Sequence, residues 1–296
     1  MKLKEIYKNS NGEIGGVSKA LPRISFEVFP PKNGDIEGKI LELKKELGVL
    51  KSFSPSLISI TYGAGGGGNV NAFEIINVVK NGLNLTPMPH FTCVCKDKTF
   101  IEEYLNKIED LNIENILALR GDIPEGQEGF EGVFKYANEL VEFIKSRSNL
   151  SVGVAGYPEG HMESASLDED IKNLKKKVDA GADAIFTQLF FDNSKFFEYC
   201  EKLEKADIRI PVIAGILPIS SYSQTEKMIK LCRAQLSVGL KNDLEKYKDS
   251  PEDIQKIGTE FAIKQCEELI KSGISGLHFY CLNKSEPVAT ILKNIL

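Results

Sequence analysis

The chain has few of the residues that build metal or disulfide sites. It contains only three histidines, His90, His161 and His278, and no His-x-His or His-Glu-x-x-His arrangement. Its six cysteines form no Cys-x-x-Cys pair. They are Cys93, Cys95, Cys200, Cys232, Cys266 and Cys281. This pattern argues against a hydrolytic zinc site and favours buried free thiols in a cytosolic protein, so we expect no metal.

The chain also lacks a positive charge excess and long apolar runs. Its 37 lysines and arginines stand against 42 aspartates and glutamates, giving a formal charge of -5, which argues against nucleic acid as a partner. Residues 1–19 are polar and lysine-bearing and do not resemble a signal peptide. No apolar run reaches membrane-spanning length. We therefore expect a cytoplasmic protein without a membrane partner.

Apolar and β-branched runs bounded by turn residues predict eight strands. They are residues 24–29, 57–62, 89–94, 115–121, 151–157, 184–191, 210–216 and 276–282. Most are separated by an amphipathic segment long enough for one helix. Eight strand–helix repeats predict an α/β protein with a closed (β/α)8 TIM barrel, and an open doubly wound sheet is the alternative. Without an internal linker, we expect a single domain over residues 24–296, preceded by an arm over residues 1–23.

Apolar residues at helical spacing predict helices at residues 39–50, 168–180 and 193–205. The longer interval before the last strand predicts two helices, near residues 223–236 and 251–271. Cys93 and Cys95 alternate along a strand, so both side chains are expected on one side of it.

A glycine-rich loop, Gly63–Gly68, follows the second strand and satisfies G-x-G-x-x-G. The dinucleotide-binding form of this motif needs an acidic residue near the end of the next strand, and no carboxylate appears there before Asp97. We therefore favour a barrel loop that a ligand approaches closely over a Rossmann fingerprint.

Polar residues recur where the predicted strands end. The clearest case is residues 117–124, where an apolar strand ends in Arg120, Gly121 and Asp122. The carboxyl ends of barrel strands carry the catalytic groups, so this position favours a site over a simple Arg–Asp ion pair. Glu27 lies between aromatic residues, and desolvation there should raise its pKa toward that of a general acid. The alternative is a structural carboxylate paired with Lys284 or Arg120.

Nine motifs together resemble one family, methylenetetrahydrofolate reductase. In chain order they are Phe26–Pro31, Ser59–Ala64, Pro89–Cys93, Ala118–Asp122, Tyr157–His161, Lys177–Ala182, Thr187–Asp192, Gly215–Pro218 and Leu277–Asn283. They cover nearly all of the chain after residue 23. The resemblance implies a barrel that binds FAD at the carboxyl ends of its strands and reduces 5,10-methylenetetrahydrofolate to 5-methyltetrahydrofolate with NADH or NADPH, in the one-carbon metabolism that feeds methionine biosynthesis.

The resemblance also implies roles for individual residues. Glu27 would be the general acid that assists ring opening at N10, after which the 5-iminium cation accepts hydride from flavin N5. Asp122 would tune the flavin and favour the cation electrostatically. Gln188 would contact folate and nicotinamide in turn. Tyr222 and Lys284 would be further folate contacts, with Tyr222 at a family phenylalanine.

The FAD contacts implied in the same way are spread over most of the motifs. They are Thr61, Tyr62, Ala64, His90, Arg120, Gly121, Asp122, Tyr136, Ala137, Tyr157, His161, Asp170, Asn173, Lys176 and Lys177. The spacing of Asn173, Lys176 and Lys177 puts them on one helical face, where two lysines could meet a pyrophosphate or simply be solvated.

This chain departs from the family pattern in several places. Residues 67–72 replace a polar, charged run, Lys284 stands where an arginine is usual, and Lys176 also replaces an arginine. The regulatory domain of the eukaryotic enzymes has no counterpart in the sequence, so no allosteric site is expected. The resemblance also implies self-association, so we expect a homo-oligomer.

Two alternatives to the nicotinamide-dependent enzyme stay open from the sequence. In one, an iron–sulfur or ferredoxin-type partner protein reduces the flavin. In the other, the chain is a non-catalytic flavin- or folate-binding barrel, although Glu27, Asp122 and Gln188 are all present.

Overall fold

Eight parallel strands form a closed barrel in the computed structural model, which describes residues 1–8, 21–62, 71–123 and 132–296. The strands are β1 (Arg23–Val28), β2 (Leu57–Ile60), β3 (Pro87–Thr92), β4 (Asn115–Leu119), β5 (Ser151–Gly156), β6 (Ala184–Leu189), β7 (Val212–Ile216) and β8 (Gly276–Tyr280). Each strand pairs with the next in the chain, and β8 pairs back onto β1. This closure confirms the TIM barrel and excludes the open sheet.

One short helix precedes β1, and the helices after each strand cover the outside of the barrel. They are α1 (Leu3–Ile6), α2 (Ile36–Lys51), α3 (Ala72–Asn77, continued by a π-helical turn Val78–Gly82), α4 (Lys98–Asp110), α5 (Ala137–Arg147), α6 (Leu167–Asp179), α7 (Asn193–Lys205), α8 (Tyr222–Cys232), α9 (Val238–Lys246), α10 (Pro251–Lys271) and α11 (Glu286–Ile295). Helices α7 and α10 have the predicted bounds.

The interval between β7 and β8 holds three helices, so the prediction of two was wrong. Arg233 adopts a left-handed conformation with φ 53° and ends α8 early. A new helix, α9, then begins after Ser237, whose hydroxyl accepts the backbone N–H of Leu240. The predicted helix near residues 223–236 therefore ran across a helix end.

Side chains along each strand alternate between the barrel interior and the surrounding helices. Phe26 and Val28 of β1 belong to the core cluster formed with the helices, so Ser25 and Glu27, which alternate with them, face the interior. This alternation places the one carboxylate of β1 inside the barrel.

Several predicted strands extend too far at their carboxyl ends. β3 ends at Thr92, and Cys95 beyond it has a φ of 56°, so the expectation that Cys93 and Cys95 share one side of a strand was wrong. Apolar residues continue past the last ladder bonds because the loops above the barrel are themselves packed, which periodicity alone does not reveal.

The first residues of the chain close the end of the barrel at which the strands begin. Leu3, Ile6 and Tyr7 are buried and pack on interior residues near the starts of the strands, including Leu57 and Met88. Lys4 pairs with the buried Asp183 at 3.0 Å. Helix α1 is thus a plug at the amino ends of the strands, and the boundary of the arm at residue 23 stays a prediction.

Candidate active site

The sequence-predicted site residues within the described part of the chain lie at or beyond the carboxyl half of the barrel. Three lie on strands: Glu27 on β1, His90 on β3 and Gln188 on β6. The others follow strands or lie on the next helix, and they are Thr61, Tyr62, Arg120, Gly121, Asp122, Tyr136, Ala137, Tyr157, His161, Asp170, Asn173, Lys176, Lys177, Tyr222 and Lys284. Ala64 and the loop Gly63–Gly68 lie outside the described residues. A closed barrel brings the carboxyl ends of its strands together around one opening, the mouth of the barrel. A single site built from these residues requires this arrangement.

Glu27 is the central carboxyl of this mouth. It is 9% exposed, and its Oε2 lies 3.6 Å from Nε2 of His90. Burial raises the pKa of Glu27 to about 8 and lowers the pKa of His90 to about 3. Near neutral pH the carboxyl is therefore protonated and the imidazole is uncharged. The alternative pairing of Glu27 with Lys284 or Arg120 was wrong, because its neighbour is a histidine.

Below Glu27, the barrel interior holds a buried histidine that sequence reasoning did not assign. His278 Nδ1 lies 2.8 Å from Ser25 Oγ, and its Nε2 lies 3.3 Å from Ser59 Oγ. Burial lowers the pKa of His278 to about 3. The sequence showed His278 within the motif Leu277–Asn283 but gave no sign of its partners, because these come from β1 and β2.

Arg120 leaves the end of β4 and pairs with a residue of another loop. Its guanidinium makes two contacts with the Glu163 carboxylate, one of them from Nη2 to Oε1 at 2.7 Å. The hydrogen bond to Glu163 raises the pKa of Arg120. Asp122 is exposed at the same rim, so the simple Arg–Asp pair considered from the sequence is replaced by an Arg–Glu pair.

Gly121, between Arg120 and Asp122, has a φ of 86° that only glycine adopts without strain. A Cβ there would lie 2.8 Å from Val94 Cγ1 and 2.9 Å from Thr92 Cβ. The backbone just past β4 and the side chains at and just past the end of β3 therefore approach closely at this rim. Glycine is required at this position because of the positive φ and because no space is left for a Cβ.

The loop after β5 and helix α6 form the next part of the mouth. The rings of Tyr157 and His161 pack edge to face with centroids 4.7 Å apart. Lys177 donates to the backbone oxygen of Ala155 at 2.8 Å, and burial lowers its pKa to about 8. Burial raises the pKa of Asp170, which the nearby Lys177 partly offsets. The mouth thus holds a desolvated lysine that an anion would stabilise.

The two lysines expected to share one helical face differ in environment. Lys176 is exposed and donates to Asn173 Oδ1 at 2.9 Å, whereas Lys177 turns toward the barrel. Neighbouring positions on a helix are about 100° apart, so one of them can reach the barrel while the next stays in solvent.

Three more predicted residues have definite positions. Tyr62 is buried on the helix side of β2, with its ring centroid 5.4 Å from that of Phe91. Tyr136 is half exposed and immediately precedes α5, which begins at Ala137. Gln188 is partly buried, and its Oε1 accepts the backbone N–H of Leu189 at 2.9 Å. Among these, Tyr62 is turned away from the barrel interior.

A small groove that encloses about 10 Å³ lies between the ends of β7 and β8. Its lining includes Gln224, Tyr280 and Lys284. Tyr280 is the register partner of Glu27 and donates to the backbone oxygen of Thr187 at 2.7 Å. Lys284 therefore reaches the groove beside the mouth and does not contact Glu27.

The segment after α8 crosses toward the loop after β5, a contact that sequence reasoning missed. The Gln235 N–H lies 3.2 Å from Oε1 and 3.3 Å from Oε2 of Glu159. Glu159 was visible within the Tyr157–His161 motif, but its backbone partner carries no side-chain signal. At the start of α8, the Tyr222 hydroxyl lies 3.3 Å from Glu226 Oε1.

Two kinds of feature are absent from the part of the chain that the structure describes. It has no cluster of three or more His, Cys, Asp or Glu side chains arranged to hold a metal ion. Within the same residues, no helix combines the length and apolar character needed to cross a membrane.

The family model for methylenetetrahydrofolate reductase matches residues 16–296. The chain belongs to this family. It is 33% identical to the 5,10-methylenetetrahydrofolate reductase of Escherichia coli, over 89% of this chain and 87% of that protein. The corresponding Buchnera aphidicola protein is 34% identical, over 98% of this chain and 94% of that one.

Other members of the methylenetetrahydrofolate reductase family are longer. Methylenetetrahydrofolate reductase (NADH) 1 of Arabidopsis thaliana is 36% identical over 92% of this chain and 48% of its own length, so the chain spans about half of that relative. A solved structure of an uncharacterized Clostridium thermocellum protein that binds two copies of 5-methyl-5,6,7,8-tetrahydrofolic acid superposes with a TM-score of 0.61, covering 94% of this chain and 95% of that one. At 14% identity, this likeness shows the fold alone.

Proposed function

We propose that this protein reduces 5,10-methylenetetrahydrofolate to 5-methyltetrahydrofolate, using FAD and a nicotinamide dinucleotide. The observation that carries the proposal is the buried carboxyl of Glu27 at the mouth of a barrel that belongs to this family. Glu27 holds its proton near neutral pH because burial raises its pKa to about 8. A carboxyl in that state is suited to general acid catalysis.

The overall reaction consumes one hydride and one proton. Glu27 donates its proton to N10 of the folate, which opens the five-membered ring and leaves a 5-iminium cation. A hydride added at the methylene carbon completes the methyl group. The carboxylate left on Glu27 favours the cation until solvent returns the proton. Asp122 at the exposed rim adds a second negative charge.

The residues at the mouth fit a flavin with a pyrophosphate. A buried polar atom at the end of β3, Thr92 Oγ1, has no hydrogen-bond partner among the described residues. Lys177 of α6, which is desolvated and donates to Ala155 near the end of β5, would be stabilised by a nearby phosphate. Bound FAD would relay hydride from the nicotinamide to the folate. The other FAD contacts implied by the family resemblance are proposed from that resemblance.

The folate contacts are proposed at Glu27, Asp122, Gln188, Tyr222 and Lys284. The groove lined by Gln224 and Lys284 adjoins Tyr280, the register partner of Glu27. A lysine offers one point charge to a carboxylate, where an arginine offers two parallel hydrogen bonds. The match of this chain to the 5,10-methylenetetrahydrofolate reductases of Escherichia coli and Buchnera aphidicola supports this substrate class.

The test is anaerobic visible spectroscopy of the purified protein. We expect a yellow protein whose flavin absorbance is lost on adding NADH or NADPH and returns on adding methylenetetrahydrofolate. NADH and NADPH are added in separate runs, so the preferred donor is read from the two bleaching rates. A folate without the methylene bridge serves as the matched control and should leave the bleached spectrum unchanged.

Two other results would contradict the proposal. A yellow protein that neither nicotinamide reduces, yet whose chemically reduced flavin is reoxidised by methylenetetrahydrofolate, would indicate an electron-donor protein partner. A colourless protein that FAD does not reconstitute would refute the flavin-dependent activity.

A further inference from the structure

Glu27 and His90 form a close, buried pair that crosses from β1 to β3. Oε2 of Glu27 and Nε2 of His90 are 3.6 Å apart, with side chains 11% and 7% exposed. Within the described residues, His90 Nε2 has no hydrogen-bond partner. Hydrogen bonds between nitrogen and oxygen span roughly 2.7–3.2 Å. A side-chain rotation that brings Oε2 and Nε2 about half an ångström closer therefore completes a hydrogen bond between them.

We propose that His90 is a positioning residue for Glu27: its Nε2 accepts a hydrogen bond from the protonated carboxyl and so holds and orients the proton that Glu27 delivers to the substrate. The inference rests on the proposed role of Glu27 as general acid. It gives His90 a task that is separate from contact with a flavin.

The proton count of the pair supports this direction of the hydrogen bond. Burial moves both groups toward their neutral forms, raising the pKa of Glu27 to about 8 and lowering that of His90 to about 3. A carboxyl offers one O–H, and a neutral imidazole protonated at Nδ1 offers a lone pair at Nε2. A charged pair would instead require two desolvated ions in a site with few other partners.

The surroundings of the pair keep it uncharged. Ser59 of β2 is the register partner of Glu27, and Leu117 of β4 is that of His90. From β8, His278 has its pKa lowered to about 3 by burial, with His90 lowering it further, and Tyr280 has its pKa raised by burial. From α8, burial raises the pKa of Cys232 to about 11, with Glu27 adding to the effect. These titratable groups are all neutral near pH 7.

The experiment is an infrared pH titration of the FAD-loaded protein. The C=O band of the protonated Glu27 carboxyl is identified as the one lost in Glu27→Gln. In the parent protein we expect its midpoint near pH 8. In His90→Asn the midpoint should fall by about one pH unit, because the neutral acid loses its acceptor. In His90→Gln, whose amide oxygen extends close to the Nε2 position, at least half of that shift should be restored.

An unchanged midpoint in His90→Asn, or an upward shift, would overturn the inference, since an upward shift means that His90 donates to the carboxylate. Equal flavin content and circular dichroism establish that the variants are folded. The pH profile for flavin reoxidation by methylenetetrahydrofolate should move in the same direction, with KM changed less than kcat. A merely structural role for His90 would not move this profile.

A second measurement uses the protein with His90 intact. Nitrogen chemical shifts of the three histidines in labelled protein report the tautomer, and His90 should carry its proton on Nδ1. A proton on Nε2 would overturn the inference. Neither readout needs folate turnover, so a protein that fails to reduce the folate but shows both signatures would contradict only the proposed function.

Discussion

At the scale of single residues, burial decides the chemistry of the mouth. Glu27 and His90 are oppositely charged residue types that the barrel holds neutral, because each is removed from water without full compensation. Arg120 keeps its charge, since it is partly exposed and pairs with Glu163. One mouth therefore presents a protonated acid near a cation–carboxylate pair.

The first prediction concerns the acid. Glu27→Gln keeps the shape of the side chain and removes its transferable proton. We expect flavin content and the rate of flavin reduction by the nicotinamide to stay within about twofold, while folate-dependent reoxidation falls by roughly 10²–10⁴-fold. Stopped-flow absorbance measures the two half-reactions separately. Normal reoxidation by the folate in this variant would refute the general-acid role.

At the scale of elements, the barrel has two different ends. The carboxyl ends of the strands carry the polar residues, and the amino ends are closed by α1. Leu3 of this helix is fully buried, and its backbone N–H donates to Ser151 Oγ at 3.2 Å. Tyr7, just after α1, lies 3.3 Å from Ser25 Oγ, which in turn contacts His278. A four-residue helix thus contributes to the floor of the site.

The second prediction concerns this plug. Leu3→Ala should lower the free energy of unfolding by about 2–4 kcal/mol, because it leaves a cavity in a packed cluster. The matched control is Leu41→Ala on α2, whose side chain is 56% exposed and whose loss should cost under about 0.5 kcal/mol. Denaturant unfolding followed by circular dichroism measures both. Equal losses in the two variants would show that α1 does not stabilise the barrel.

At the scale of the whole molecule, a neutral buried acid makes stability depend on pH. The folded chain keeps the Glu27 proton up to about pH 8, whereas the unfolded chain releases it near the ordinary value of 4.5. Between these values the folded state binds the extra proton, so the contribution of Glu27 to stability falls as pH rises. The buried acid therefore costs the fold most above pH 8.

The third prediction follows from this loss of stability with rising pH. Glu27→Gln should raise the melting temperature relative to the parent, by little at pH 5 and by on the order of 5 °C at pH 8. Glu42→Gln, at an exposed position of α2, is the control and should show no such trend. Calorimetry of the FAD-free proteins at both pH values measures the difference. A gain that does not grow with pH would mean that Glu27 is ionised in the folded protein.

Much of the architecture follows from local sequence. Repeated strand and helix patterns predicted the closed barrel, and the amphipathic spacing of α7 and α10 predicted their bounds. The spacing of apolar residues and the positions of turn residues are local properties of the chain, so they can be recognised without knowledge of tertiary contacts. The helix break at Arg233 was missed because an arginine in a left-handed cap carries no glycine signal.

The sequence by itself determined which residue types stand at the strand ends, including Glu27, His90 and Arg120, and the motifs that mark the family. Only the tertiary structure decided their partners: His90 for Glu27, Glu163 for Arg120, and Ser25 and Ser59 for His278. The physical reason is that barrel closure brings together residues far apart in the chain. Their desolvation, and hence their charge, is a property of that enclosed space.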